Sequence, residues 1–129
     1  VGNLGAGNGP NTIRLVNSNG AAGYTADGNF DFGFVGEAEG VEVFIQATKV
    51  GSAPSVVFCV GFLDTCGTFR ELVATAAVAA TGNAYLLVSH HAVDKTNAAV
   101  NRMIRDSMRV VADHSNTDIM DYTIEVTAV

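Results

Sequence analysis

Residues 41–73 read VEVFIQATKVGSAPSVVFCVGFLDTCGTFRELV, and the fold class turns on this stretch. Val41, Val43, Ile45 and Ala47 alternate with Glu42, Phe44, Gln46 and Thr48. Alternation at period two marks a half-buried strand, because successive side chains leave a strand on opposite faces. Phe44 is the exception, a large apolar residue on the side otherwise turned to water. From Val56 to Leu63 almost every side chain is apolar, the pattern of a strand covered on both faces or set against a neighbouring subunit. Gly51 and Pro54 flank the loop between these strands, and Asp64 and Gly67 supply the turn before a third strand. Three strands in 33 residues leave no room for crossover helices, so the stretch is expected to form an antiparallel meander.

On the N-terminal side, residues 1–10 (VGNLGAGNGP) hold four glycines and two asparagines. Glycine loses much backbone entropy on ordering, and few side chains here can offset it. A flexible Gly-rich arm over 1–10 is expected, followed by a single domain over 11–129. Residues 12–16 suit a short strand, and 17–28 form a turn-rich connection with Asn-Gly and Asp-Gly signals. The next strand, 29–35, places Phe30, Phe32 and Phe34 on one face, a core pattern more than a ligand platform.

On the C-terminal side, 74–83 reads as a short extended piece with a turn at Gly82-Asn83, and 84–90 as a strand. The period then changes. Ala99, Val100, Met103 and Ile104 fall on one helical face, with Thr96 as N-cap, which predicts a short helix around 96–105. From Ser107, Met108, Val110 and Ala112 point one way and Arg109, Val111 and Asp113 the other. Last, Met120, Tyr122, Ile124, Val126 and Ala128 alternate with Asp121, Thr123, Glu125, Thr127 and Val129. Strands this short and numerous close most economically as an all-β, antiparallel two-sheet β-sandwich, jelly-roll-like, with that one helix.

The 129 residues are 48% hydrophobic, with a mean hydropathy of +0.27, and part of that surplus is expected in a subunit interface. Seven Lys/Arg against thirteen Asp/Glu give a net charge of −6, which repels a phosphate backbone, so no nucleic-acid partner is expected. No apolar run reaches the roughly 18 residues that span a bilayer, and no membrane partner is expected. Cys59 falls in a strand and Cys66 in a turn. That reads as one buried and one turn thiol, with a structural disulfide as the alternative, and their spacing is not a redox C-x-x-C.

Chemical motifs are sparse. His90, His91 and His114, with Asp94 or Asp113, share a metal only if the fold joins distant segments. Consecutive strand residues face opposite ways, so at most one of His90 and His91 is expected to serve. Asp27, Asn29 and Asp31 alternate as oxygen ligands do, but the rest of an EF-hand loop is missing, and turn capping is the simpler reading. Ser89-His90 is adjacency without a dyad, and GAGNG is not a phosphate loop. Neither enzymatic activity nor a metal or other cofactor is expected.

The succession over 41–87 resembles the small β-sandwich structural proteins of tailed bacteriophages, many of them capsid decoration or accessory head proteins. The resemblance rests on Gly51-Ser52-Ala53-Pro54 for a GTSP-like loop, Asp64 through Gly67 for an Asp-Gly turn, Phe69 where an aromatic recurs, and Thr81-Gly82 for a TATG-like turn. SMRVVADHSNTDIMDYTIEVTAV (107–129) is similar to their closing pair of strands, which is why the helix is ended before Ser107. The resemblance spans about 90 residues, from 41 to 129. The segment 92–105 and the inserted Thr65-Cys66 depart from the pattern. The resemblance implies a virion structural protein, a capsid decoration, cement or accessory head protein located in the virion. Its implied partners are the major capsid protein or another shell protein, and copies of itself, a trimer being favoured. The apolar residues Val1, Leu4, Pro10, Phe44, Val56, Phe58, Val60 and Phe62 are the expected interface. The alternative is a carbohydrate- or cell-surface-binding sandwich, Ca-assisted through Asp27, Asn29 and Asp31.

Overall fold

The computed structural model describes residues 2–5, 12–16, 27–35 and 38–129. Its strands are β1 (Gly2–Gly5), β2 (Thr12–Val16), β3 (Gly28–Val35), β4 (Gly40–Lys49), β5 (Val56–Leu63), β6 (Phe69–Ala74), β7 (Gly82–Ser89), β8 (Ala99–Asn101), β9 (Ser107–His114) and β10 (Met120–Ala128). They form two five-stranded sheets, ordered β1-β3-β9-β5-β6 and β2-β10-β4-β7-β8. With β1 and β8 set aside, the other eight strands, renumbered in chain order, run 2-7-4-5 in the first sheet and 1-8-3-6 in the second. That is the jelly-roll order, so the expected all-β sandwich holds. The two strands set aside are also the exceptions to its antiparallel pairing: β1 runs parallel to β3 and β8 parallel to β7.

Two local expectations are corrected. The stretch over 41–73 is not one meander, because β4 belongs to the second sheet and β5 to the first. Each is an interior strand of its own sheet and turns its apolar side chains toward the shared core. The loop between them crosses at the end of the sandwich. There Asp118 Oδ2 accepts the Ala53 N–H at 2.8 Å, and Asn116 Nδ2 donates to the Ala53 carbonyl at 2.8 Å. Only β5 and β6 form the expected hairpin. Its turn is held by Asp64 Oδ1, which accepts the N–H groups of Cys66 and Thr68 at 2.9 Å each, and by Gly67 at φ 79°. These backbone donors, with Arg70, hold the Asp64 carboxyl below its usual range.

The second correction is the helix around 96–105. No described residue is helical. Asn97 has a φ of 60°, in the left-handed region that ends a right-handed helix, and the Lys95 carbonyl accepts the N–H groups of Ala98 at 3.0 Å and Ala99 at 2.9 Å. Asp94 Oδ1 then accepts the Asn101 N–H at 2.6 Å, and β8 lies along β7. Val100 and Ile104 pack on the core, whereas Met103 is 71% exposed, so the apparent helical stripe is divided between two environments. The turn expected at Gly82-Asn83 lies slightly earlier, as a bend at Ala80 and Thr81, and both Gly82 and Asn83 belong to β7.

The core lies between the sheets. Val41, Val43 and Ile45 of β4 and Tyr122, Ile124 and Val126 of β10 meet Phe32, Phe58, Val60, Met108 and Val110 from the first sheet. Phe58 and Tyr122 meet edge to face, with centroids 5.0 Å apart. Val56, Phe58 and Val60, expected at an interface, are fully buried here and out of reach of a partner. Their burial is accounted for by the domain's own second sheet. Phe62 is half-buried against the same core, and Phe30 packs on it beside Phe32. Of the expected N-terminal arm, Gly2–Gly5 pairs with β3, while Val1 and residues 6–11, Pro10 included, lie outside the described residues, as do the Leu4 and Phe34 side chains.

Cys59 is buried and Cys66 exposed, and both are free thiols. Burial, reinforced by nearby Glu71, pushes the Cys59 pKa up to about 12 and keeps that thiol protonated.

His114, at the end of β9, places Nε2 2.9 Å from the Tyr122 hydroxyl, and its Nδ1 is buried without a hydrogen-bond partner among the described residues. Burial lowers its pKa below the ordinary 6.5, against the charges of Asp27 and Asp113, which favour the protonated ring. Below that ordinary value the unfolded chain takes up a proton that the folded chain resists. The contribution to stability is therefore complete above it and lost as pH falls through it toward the folded-state value. The urea midpoint is expected to drop between about pH 7.5 and about pH 5, and to drop less in His114→Gln. Equal drops in both proteins would assign the effect to other groups.

Candidate functional site

The outer face of the second sheet is built from residues at the outward parity of four adjacent strands. Register aligns Arg14 with Glu125, Glu125 with Phe44, and Phe44 with Tyr85, so one transverse row crosses β2, β10, β4 and β7. Arg14 donates to Glu125 Oε2 at 3.2 Å. The Phe44 and Tyr85 rings lie 4.9 Å apart, tilted by 38°, and Tyr85 is 57% exposed. One row away stand Thr123, Gln46 and Asn83, and on the other side Thr127, Glu42 and Leu87. The result is an aromatic step bordered by amides, hydroxyls and carboxylates. Such a face offers van der Waals area together with donors and acceptors for a polar partner surface.

Phe44 stood out in the sequence as an apolar residue at a solvent-facing position. Tyr85 did not, although it occupies the same parity in its strand, opposite to Leu86 and Val88. Nothing local reveals that the two are neighbours, since β4 and β7 are separated by two strands of the other sheet.

The first sheet carries a different outer face. Arg109 Nε donates to Asp31 Oδ1 at 2.5 Å and Nη2 to Asp31 Oδ2 at 3.2 Å, a bidentate pair between β3 and β9. This guanidinium holds the Asp31 carboxyl below its usual range. Asp27 Oδ1 accepts the His114 N–H at 2.6 Å. Two of the three candidate calcium ligands thus have structural partners, and Asn29 is exposed on β3. Between β6 and the segment 94–100 runs an open groove of about 400 Å³, lined by Glu71, Leu72, Asp94, Lys95, Thr96 and Val100 among others.

The histidines divide between opposite ends of the sandwich. His114 lies opposite Val56, near the end of β4 that pairs with Met120, whereas His90 and His91 follow Ser89, which pairs with Gly40 at the other end. The Ser89 hydroxyl accepts the His91 backbone N–H at 3.1 Å. The expectation that His90 and His91 face apart is overturned. They lie beyond the last residue of β7, in a turn, and their ring centroids are 3.8 Å apart. His91 Nε2 is 3.3 Å from Glu39 Oε2, a neighbour that the sequence reading passed over.

No protein-family model matches the chain, and no curated protein matches its sequence. Among solved structures, tripeptidyl peptidase 2 aligns over 98% of this chain with a TM-score of 0.58 and 8% identity. The chain spans only 10% of that protein's length, and the likeness is one of fold. The SPBc2 prophage-derived protein YomS aligns over 93% of both chains at 11% identity, with a TM-score of 0.49. The Clostridium thermocellum xylanase 10B CBM22-1–GH10 modules, solved with xylohexaose, align over 90% of this chain and 28% of theirs, at 7% identity and a TM-score of 0.42.

Proposed function

We propose that this chain is a non-catalytic structural protein of a bacteriophage virion, a capsid decoration or accessory head protein that docks on a shell protein through the face centred on Phe44 and Tyr85. The observation that carries the proposal is the exposed Tyr85 ring, seated against Phe44 on the largely polar outer face of the second sheet. Aromatic anchors ringed by polar groups are the usual composition of protein interfaces, and the two-layer core makes the platform rigid. The sequence resemblance over 41–87 and 107–129 supports the virion setting, with the major capsid protein as partner and a homotrimer as the free state.

The test is titration of the recombinant chain onto purified shells that lack it, alongside immunogold microscopy of intact particles. Saturable binding and regular labelling of heads are expected, with Tyr85→Ala weakening attachment at least about tenfold. Shells that do not bind the chain, or intact particles without label, would overturn the reading.

The same face supports a second reading, a carbohydrate-binding module, because Gln46, Asn83 and Thr123 stand one row from the aromatic pair. Retardation of the chain, but not of Tyr85→Ala, in gels containing polysaccharide would favour it.

A further inference from the structure

The geometry points to a divalent transition-metal site formed by Glu39, His90 and His91, where β4 begins and β7 ends. One ligand atom from each residue lies within 4.8 Å of the other two. Glu39 Oε2 and His91 Nε2 are 3.3 Å apart. A tetrahedral zinc ion with donors at about 2.0–2.1 Å holds those donors about 3.3–3.4 Å from one another. This pair already has the separation of two ligands on one ion. The His90 ring lies beside that of His91, tilted by 43°, and all three side chains are exposed, so rotation about side-chain bonds suffices to close the set.

Backbone structure brings the three together. Ser89 closes a turn in which its carbonyl accepts the Ala92 N–H at 3.1 Å and its hydroxyl the His91 N–H at 3.1 Å. That turn ends the strand alternation which would send consecutive histidines to opposite faces. Glu39 donates its N–H to the Val129 carbonyl at 3.0 Å, and the next residue, Gly40, pairs with Ser89. A Cβ on Gly40 would stand 2.7 Å from both the Val88 carbonyl oxygen and Ser89 Cβ. The absence of a side chain there lets the two strands approach, and it sets Glu39 beside the histidine turn.

Two imidazoles and one carboxylate form a borderline donor set suited to zinc, nickel or copper, whereas calcium and magnesium call for more oxygens. Three protein ligands leave a fourth position for water. The site is peripheral to the core, so the fold does not depend on it, and its occupation is independent of the function proposed above.

Calorimetric titration of the metal-free full chain with zinc chloride is the test. One ion per chain is expected, and His90→Ala, His91→Ala and Glu39→Gln should each weaken binding at least about tenfold. Circular dichroism checks that each variant is folded. Independently, the imidazole proton resonances of His90 and His91 should shift on zinc addition while those of His114 stay in place. Failure of the parent protein to bind zinc stoichiometrically, or binding by all three variants at parental strength, would overturn the assignment.

Discussion

Phe58→Ala is expected to lower stability by about 3–5 kcal/mol, the range for emptying a buried aromatic site. Phe58 is fully buried in the middle of β5, and its ring meets Tyr122 edge to face at 5.0 Å. The flanking β-strands are hydrogen-bonded in ladders and cannot collapse into the vacated space without breaking register with β9. A domain of this size is stable by only about 5–15 kcal/mol, so one substitution removes a large share. Phe44→Ala is the control, since Phe44 lies on the outer face and vacates a half-exposed position; a loss of about 1 kcal/mol is expected there. Urea denaturation of the two variants measures the contrast. Equal losses would mean that the division between inner and outer faces is misplaced.

Gly61→Ala is expected to release the β5–β6 hairpin, at a cost of about 3 kcal/mol or more. Register between β5 and β6 shifts at Val60/Gly61, which marks a bulge. A Cβ at Gly61 would overlap the Arg70 carbonyl oxygen and stand 2.8 Å from its carbon and 2.9 Å from Glu71 Cα. Every obstacle is backbone, so no rotamer change relieves it, and β6 itself must move. Displacing β6 withdraws Val73 and Leu72 from the core and uncovers the edge of β5. Amide hydrogen exchange reads this directly. Protection at Val73 and at Thr75, whose N–H donates to the Phe58 carbonyl at 2.8 Å, should fall much further than protection in β4 or β10. Retained protection in β6 would show that the bulge tolerates a side chain.

Eight of the ten described strands were legible in the sequence, because alternation is a property of a few consecutive residues, whereas β1 fell in an expected arm and β8 in an expected helix. Val41, Val43 and Ile45, Met108 and Val110, and Tyr122, Ile124 and Val126 are all fully or almost fully buried, as their spacing implies. The Asp64–Gly67 turn was legible for the same reason: its carboxylate caps N–H groups only two and four residues away. Long-range packing sets which sheet each strand joins. A Gly-Ser-Ala-Pro loop can close a hairpin or cross between layers, and the distant Asp118 and Asn116 hold it in the crossing form. It also overrode the helical spacing over 96–105. The edge of β7 offers backbone groups that need partners, and Leu87 N–H finds the Ala98 carbonyl at 2.8 Å, so the segment extends beside that edge. Both candidate sites depend on such non-local pairing. Phe44 meets Tyr85, and Glu39 meets His91, only because β4 and β7 are neighbours in one sheet. That adjacency is set by how two apolar layers close on each other, and no short window of sequence contains it.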